Sequence, residues 1–365
     1  MKVAFVYDRV NKFGGAERVL LALHKIFPDA PLYTLVYDAR SAPWASVFKV
    51  IPTFVNRVGF LRNKHEWLSP IAALAFESFD FRDFDLVISI TSGDAKAIMT
   101  KPNQLHICYC LTPTRYFWSG EDQYLGDTKF KVIPKWLHNY FRTADLLISK
   151  RPDEYIAISD EVKNRIKKYY HRESTVIYPA IDEKFYSKQF VPENQRSYYL
   201  IVSRLVPYKK VDLAVQAFNK LNRPLVVVGI GSELNKLKNI ANENIKFVGA
   251  VDDTNLITLY KSAKATIFPQ EEDYGLVPIE SQACGTPVIA YGKGGALETI
   301  IKNKTGIFFQ EQTIDSLADA VSRFEKLSIN PYDCYKNSLR FNFKNFKKEF
   351  LSHLSNSTGQ VFPTD

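Results

Sequence analysis

Short apolar runs alternate with amphipathic stretches along most of this chain, and that alternation constrains its fold more than any other feature. Val3 to Tyr7 reads as a strand, and Gly14–Gly15 opens a helix expected from about Ala16 to Ile26. Leu86 to Ile90, His106 to Cys110, Tyr155 to Ile158 and Val176 to Tyr178 read as further buried strands. Ser159 suits the N-cap of a helix over Glu161 to Tyr170. The pattern restarts with strand Tyr198 to Ser203, helix Val211 to Leu221 and strand Leu225 to Gly229. Helix Ser232 to Ile240, strand Ile245 to Val248 and helix Thr254 to Ala263 follow. Such a βαβα order predicts parallel sheets covered by helices on both faces. At 365 residues the chain is long enough to bury two cores. The expected layout is a doubly wound α/β domain over 1–185, a polar linker over 186–197 and a second such domain over 198–330. A C-terminal helix over 331–356 is expected to return to the first domain, ahead of a disordered tail over 357–365.

Composition removes several classes of function. Hydrophobic residues at 46% and charged residues at 24% are ordinary for a soluble globular enzyme. Asp8 and Arg9 interrupt the opening apolar run too early for a secretory leader, and no stretch is apolar enough to span a bilayer. A cytoplasmic protein is expected. Cys108, Cys110, Cys284 and Cys334 have no CxxC spacing, so reduced thiols are expected rather than zinc or a disulfide framework. His65, His106, His138 and His171 lack ligand spacing and read as structural or surface residues. Asp83-Phe-Asp85 precedes a strand instead of following one, which makes it a turn rather than a metal site. The net charge of +9 is spread along the chain, and no nucleic-acid module is visible. Lys129 to Lys150 and Asn56 to Leu68 interleave basic and aromatic residues at helical spacing. That pattern is usually an ordinary helix face, but it also fits weak contact with a membrane surface.

In open parallel sheets, ligands sit beyond the carboxyl ends of the strands. The richest such loop is in Glu271 to Thr299, EEDYGLVPIESQACGTPVIAYGKGGALET. A strand over Ala265 to Phe268 leads to Glu272, then to a helix entry at Gly275-Leu-Val-Pro278 that holds Glu280. Pro278 fits the first helical position, where it needs no N–H. Gly285 ends the helix and Thr286 to Ala290 returns as a strand. Backbone N–H groups at the helix start favour phosphate, and the flanking carboxylates suit hydroxyls. Arg204 follows a strand directly, with Lys209 five residues on. Two cations at one loop mouth suit a diphosphate, since Arg forks across oxygens while Lys acts as a point charge. Alone, the acids would read as complements to a helix dipole and the cations as a solvated loop. Together they favour a binding site.

These residues resemble glycosyltransferase family 4, the retaining GT-B enzymes that use nucleotide sugars. The resemblance lies in KVAFVYDRVNKFGGAERVL, SRLVPYKK and EEDYGLVPIESQACGTPVI. HICYCLTPTRYFW and YIAISDEVKNRIKKYY are similar to bacterial members that build surface polysaccharides, often mannosyltransferases. The resemblance implies two Rossmann-like domains facing a cleft. It implies that Glu280 binds ribose hydroxyls and Glu272 the transferred sugar, while Arg204 and Lys209 hold the diphosphate. N–H groups of Gly275, Leu276 and Val277 would assist, Gly229 would lie on the donor side, Val248 near the base, and Gly15 would approach the phosphate from the first domain. No obligatory metal or other cofactor is implied. The expected donor is GDP-mannose and the expected acceptor a lipid-linked or growing glycan, with Asp94, Arg115 and Tyr116 as acceptor-side candidates. A UDP-sugar-dependent glucosyl or N-acetylglucosaminyl transferase and a non-catalytic nucleotide-sugar-binding subunit remain as alternatives. Two positions depart from the family pattern: Leu111 replaces a frequent His, which removes any base there, and Lys210 stands where many relatives have Gly.

Overall fold

The computed structural model describes residues 1–57, 69–115, 117–118 and 135–362. They form two compact units, Met1–Pro179 joined by the chain from Glu349 onward, and Ala180–Lys348. Each contains one parallel sheet.

The first sheet has seven strands: β1 (Val3–Tyr7), β2 (Leu32–Thr34), β3 (Val50–Pro52), β4 (Leu86–Thr91), β5 (Leu105–Cys110), β6 (Glu154–Ala157) and β7 (Thr175–Val176). Their order is β3-β2-β1-β4-β5-β6-β7, so successive connections reverse direction between β1 and β4. β1 and β4 are buried along their whole length, which is why they are apolar on both faces. The polar exceptions on β4 are Thr91 and Ser89, and the Ser89 Oγ lies 2.9 Å from Nε2 of buried His106 on β5. Tyr33 packs edge-on against Phe79 and Phe81, so the chain's many aromatics fill this core. β2 and β3 escaped the sequence reading because three residues carry too little pattern, and β3 ends on Pro52 at the sheet edge.

The second sheet has six strands: β8 (Tyr198–Val202), β9 (Leu225–Val228), β10 (Ile245–Gly249), β11 (Ala263–Phe268), β12 (Val288–Tyr291) and β13 (Gly306–Phe309). Its order, β10-β9-β8-β11-β12-β13, reverses between β8 and β11. Helix Val211–Leu221 turns Leu213, Ala214, Ala217 and Phe218 into the core shared with Tyr199, Val227 and Ile267. The two doubly wound parallel sheets are the architecture expected from the alternating pattern.

Three boundaries differ from expectation. Residues 186–197, expected as a linker, pack on the second unit: Ser187 N donates to the Ala283 carbonyl at 3.3 Å. Within the same stretch, buried Arg196 donates to the carbonyls of Val191, Ala263 and Gly285. The expected single helix over 331–356 is two, Pro331–Ser338 and Phe343–Thr358, separated by a 3-10 turn over Leu339–Phe341. Asn342 is extended, and its Oδ1 accepts the N–H of Asn345 at 2.8 Å, starting a new helix rather than continuing the old one. That helix runs on into the expected tail, where Ser357 Oγ donates to Glu154 Oε2 at 2.7 Å; residues 363–365 lie outside the described chain.

The first unit buries an ion pair. Lys96 Nζ lies 2.7 Å from Asp145 Oδ1, with the side chains 2% and 3% exposed. Burial alone lowers the Lys96 pKa, but Asp145 and Asp94 outweigh it and hold the ammonium charged. Lys96 also donates to Thr114 Oγ1 at 3.1 Å and to the Gly93 carbonyl. Asp145 further accepts from Trp118 Nε1 at 2.7 Å and Tyr170 Oη at 3.0 Å. The network therefore ties the loops after β4 and β5 to helices Lys135–Ile148 and Asp160–Tyr170. Lys96→Met should destabilise the first unit by about 3–5 kcal/mol, because it strands a buried carboxylate. Adding Asp145→Asn should recover part of that loss, since the neutral amide still accepts from Trp118 and Tyr170. Urea midpoints of the single and double variants measure both effects.

Candidate functional site

The reversal between β8 and β11 opens the second sheet at its carboxyl edge, and the loops that leave these two strands carry the predicted charges. The loop after β8 is seated by glycines of the loop after β9. A Cβ on Gly229 would lie 1.8 Å from the Ser203 carbonyl oxygen, and one on Gly231 would lie 2.2 Å from that of Leu205. The backbones therefore pack directly, and Leu205 N donates to the Ile230 carbonyl at 2.9 Å. Gly229 N is taken by the Gly249 carbonyl at 2.8 Å, so its visible task is to support the Arg204 loop. Val248 sits at a bulge of β10, where the register with β9 shifts between Phe247 and Gly249.

Pro207–Lys209 forms a 3-10 turn, followed by Lys210 in the left-handed region at φ 53°. That conformation suits glycine, the residue the family resemblance implies here; lysine adopts it at a cost of about 1–2 kcal/mol. The turn directs Lys209 Nζ onto Glu272 Oε1 of the loop after β11, and the two side chains are 14% and 17% exposed. Arg204 is exposed and donates to Tyr208 Oη beside Lys209.

Glu272 is held from behind by the loop after β12. Gly295 N donates to the Glu272 carbonyl at 2.9 Å. A Cβ on Gly294 would lie 2.4 Å from the same oxygen, and one on Gly295 would lie 2.4 Å from Tyr274 Cα. The next helix, Leu276–Ala283, starts two residues earlier than expected, with Gly275 at φ 87° as its N-cap. Pro278 is thus the third helical residue rather than the first, still within the turn that needs no N–H. The N–H groups of Leu276 and Val277 fall in that turn and donate to no backbone carbonyl among the described residues. Glu280 lies one turn in, 3% exposed, and accepts from buried Tyr260 Oη at 3.2 Å. Ser281 Oγ fixes the helix further, 2.7 Å from Thr266 Oγ1 and 2.9 Å from the Thr286 carbonyl it donates to. Burial pushes the Cys284 thiol up to about 12, which suits core packing and not nucleophilic attack.

The structure therefore brings Arg204, Lys209, Glu272, Glu280 and the helix start at Gly275–Val277 to one edge of one sheet. The remaining candidates belong to the first unit. Gly15 begins helix Gly15–Ile26 after the N-cap Gly14. Asp94 precedes the short turn Ala95–Ala97, and Arg115 follows the buried Thr114. Tyr116 lies outside the described residues. Leu111 extends the pairing of β5 with β4, its N–H donating to the Thr91 carbonyl at 2.8 Å. Asp85 accepts the N–H of Lys2 at 2.7 Å, consistent with a turn role for Asp83-Phe-Asp85. Among the described residues, no group of three or more His, Cys, Asp or Glu is arranged to hold a metal.

Sequence reasoning missed four contributors. Tyr208, Tyr260 and the pair Gly294–Gly295 act on the site through contacts between loops distant in sequence. Asp8 does the same in the first unit, accepting from Thr91 Oγ1 at 2.6 Å, Ser92 N at 2.8 Å and Ala95 N at 2.9 Å. Only Asp8 had a visible signal, a charge directly at the end of a buried strand. The glycine contacts predict an asymmetry. Gly295→Ala should destabilise the second unit by about 2–4 kcal/mol and dislodge Glu272, because backbone blocks the new methyl group. Gly249→Ala, at φ 73° with nothing within 4 Å of the added carbon, should cost only about 1–2 kcal/mol. Thermal unfolding of the two variants makes the comparison.

Residues 182–341, most of the second unit, match the family model "Glycosyl transferases group 1". Among curated relatives, the GDP-mannose-dependent alpha-(1-6)-phosphatidylinositol monomannoside mannosyltransferase of Mycobacterium tuberculosis is 34% identical over 146 residues, 35% of this chain and 38% of that protein. The D-inositol 3-phosphate glycosyltransferase of Mycobacterium leprae is 32% identical over 142 residues, 36% of this chain and 33% of that protein. The chain thus spans about a third of the length of these relatives. Among solved structures, Anabaena HepE in complex with UDP superposes with a TM-score of 0.72 at 18% identity, covering 98% of this chain and 100% of that one. Sucrose-phosphate synthase from Thermosynechococcus elongatus reaches a TM-score of 0.74 at 17% identity, with coverage of 98% and 100%. Most of the second unit thus matches the glycosyl transferases group 1 model, and the two parallel-sheet units have the GT-B fold.

Proposed function

We propose that the chain is a retaining glycosyltransferase that moves a hexose, mannose from GDP-mannose, onto a lipid-linked or growing glycan. The contact of Lys209 with Glu272 at the second switch point carries this reading. It sets a phosphate-binding cation beside a hydroxyl-binding carboxylate, at the start of a helix whose first N–H groups are not used within it. In this reading Arg204 and Lys209 grip the diphosphate and stabilise the charge that grows on it as the glycosidic bond breaks. Glu272 aligns the sugar and Glu280 the ribose. Leu111 supplies no base, so the departing phosphate takes the acceptor's proton. Mannose is favoured because the Mycobacterium tuberculosis relative is named for GDP-mannose. The UDP held by Anabaena HepE supports the second reading, a UDP-sugar donor, at lower identity.

The acceptor side is assigned to the first unit, with Asp94, Arg115 and Tyr116 as its candidates. No helix among the described residues is long and apolar enough to cross a membrane. We assign the chain to the cytoplasm, in weak contact with the inner membrane surface. Trp136 and Tyr140, 70% and 65% exposed on helix Lys135–Ile148, are the anchors proposed for that contact. The remainder of the basic stretch, residues 129–134, and most of Asn56 to Leu68 lie outside the described residues.

A thermal-shift screen of GDP- and UDP-sugars tests the donor, and GDP-mannose should raise the melting temperature most. Transfer is followed as GDP release in the presence of a crude lipid acceptor. Glu272→Ala should lower it by about 10²–10³-fold while free GDP still binds. Undiminished transfer by that variant would remove Glu272 from the mechanism. Donor binding without turnover by the unaltered chain would make the protein a binding subunit. Sedimentation with anionic vesicles tests the surface contact, and Trp136→Ser with Tyr140→Ser should weaken it about tenfold.

A further inference from the structure

Arg204 and Lys209 are like charges on one short loop, and one side chain between them faces both. The Arg204 guanidinium lies 5.8 Å from the centroid of the Tyr208 ring, and Lys209 Nζ lies 5.2 Å from it. A ring face attracts cations through its quadrupole, so Tyr208 offsets part of the repulsion that would drive the two apart. Arg204 Nη2 also donates to Tyr208 Oη. A guanidinium has no acceptor, so the phenol oxygen is the acceptor in this bond and its own proton remains to be donated. The backbone holds Tyr208 in place, with Lys209 N donating to the Val206 carbonyl at 3.0 Å and Lys210 N to that of Pro207 at 3.1 Å. The side chain is half-buried. Its location is therefore set by the 3-10 turn, not by chance on an open surface.

We propose that Tyr208 is a third member of the anion site, holding Arg204 and Lys209 together and donating its hydroxyl proton to a phosphate oxygen of the ligand. The inference rests on the reading of the second unit as a nucleoside diphosphate site. It adds a neutral donor between two charged ones. A diphosphate would then be met by two cations and a hydroxyl from one loop, across from the helix start at Gly275–Val277. Unlike the cations, the phenol contributes no net charge, so its share of binding should vary little with salt.

Isothermal titration of the full chain with GDP, UDP, guanosine and inorganic pyrophosphate tests the proposal. Tyr208→Phe keeps the ring and removes the hydroxyl; it should weaken the diphosphate nucleotide and pyrophosphate about tenfold and leave guanosine unchanged. Tyr208→Leu removes both functions; it should lose about tenfold more, with a steeper dependence on salt, because only the charges remain. Wild-type affinity of Tyr208→Phe for pyrophosphate and nucleotide would overturn the donor role. An equal loss of guanosine and pyrophosphate binding would also overturn it, since that marks a general loosening of the unit. If the unaltered chain binds pyrophosphate but neither nucleotide, the functional reading fails, and the Tyr208 assignment is decided by pyrophosphate alone. Binding of none of the four ligands would overturn both.

Discussion

The charged corner of the second unit is built around one contact, the pairing of Lys209 with Glu272 where β8 and β11 part. The two residues come from loops that leave adjacent strands toward opposite sides of the sheet, so nothing local to either loop holds them together. Coulomb attraction at partial exposure is modest, and the pair is placed mainly by the backbones beneath it. Gly229 and Gly231 let the Lys209 loop rest on its neighbour. Gly294 and Gly295 do the same for the Glu272 loop. The charged surface is flexible in chemistry and rigid in support.

The two units solve the same packing problem with different interiors. The second fills its core with apolar side chains contributed by strands and helices throughout Tyr199 to Phe324. The first adds a buried Lys96–Asp145 network at the end of β4 and β5, exchanging part of its apolar packing for fixed hydrogen-bond geometry. That geometry reaches Gly93 and Thr114, the residues just before Asp94 and Arg115. Gly93 and Thr114 are thereby fixed by groups that are almost wholly buried.

Much of this was legible in the sequence, and the misses share a cause. Helix Val211–Leu221 was read to the residue, because its apolar face repeats cleanly after a charged start. Ser159 was correctly read as an N-cap and accepts from Val162 N at 3.1 Å, since that signal depends only on neighbours in sequence. The linker was misread because its polar composition hides Arg196, which is buried and satisfied by distant carbonyls. Asn342 breaks a helix that its apolar neighbours predicted would continue. At the site, the charges were visible but Tyr208, Tyr260 and the supporting glycines were not. Their value comes from contacts between elements far apart in the chain, which one sequence does not record.

The first sheet reverses between β1 and β4 just as the second reverses between β8 and β11, so each unit has the same corner where parallel sheets gather anions. In the first unit, the carboxylate of Asp8 already receives two backbone N–H groups and a hydroxyl from the loop after β4. It behaves as a built-in ligand, delivered by the chain itself and satisfied before any solute arrives. In the second unit the corresponding position carries Arg204 and Lys209 and no such acid from its own first strand. One corner holds its anion covalently; in the proposed reading, the other takes one from its ligand.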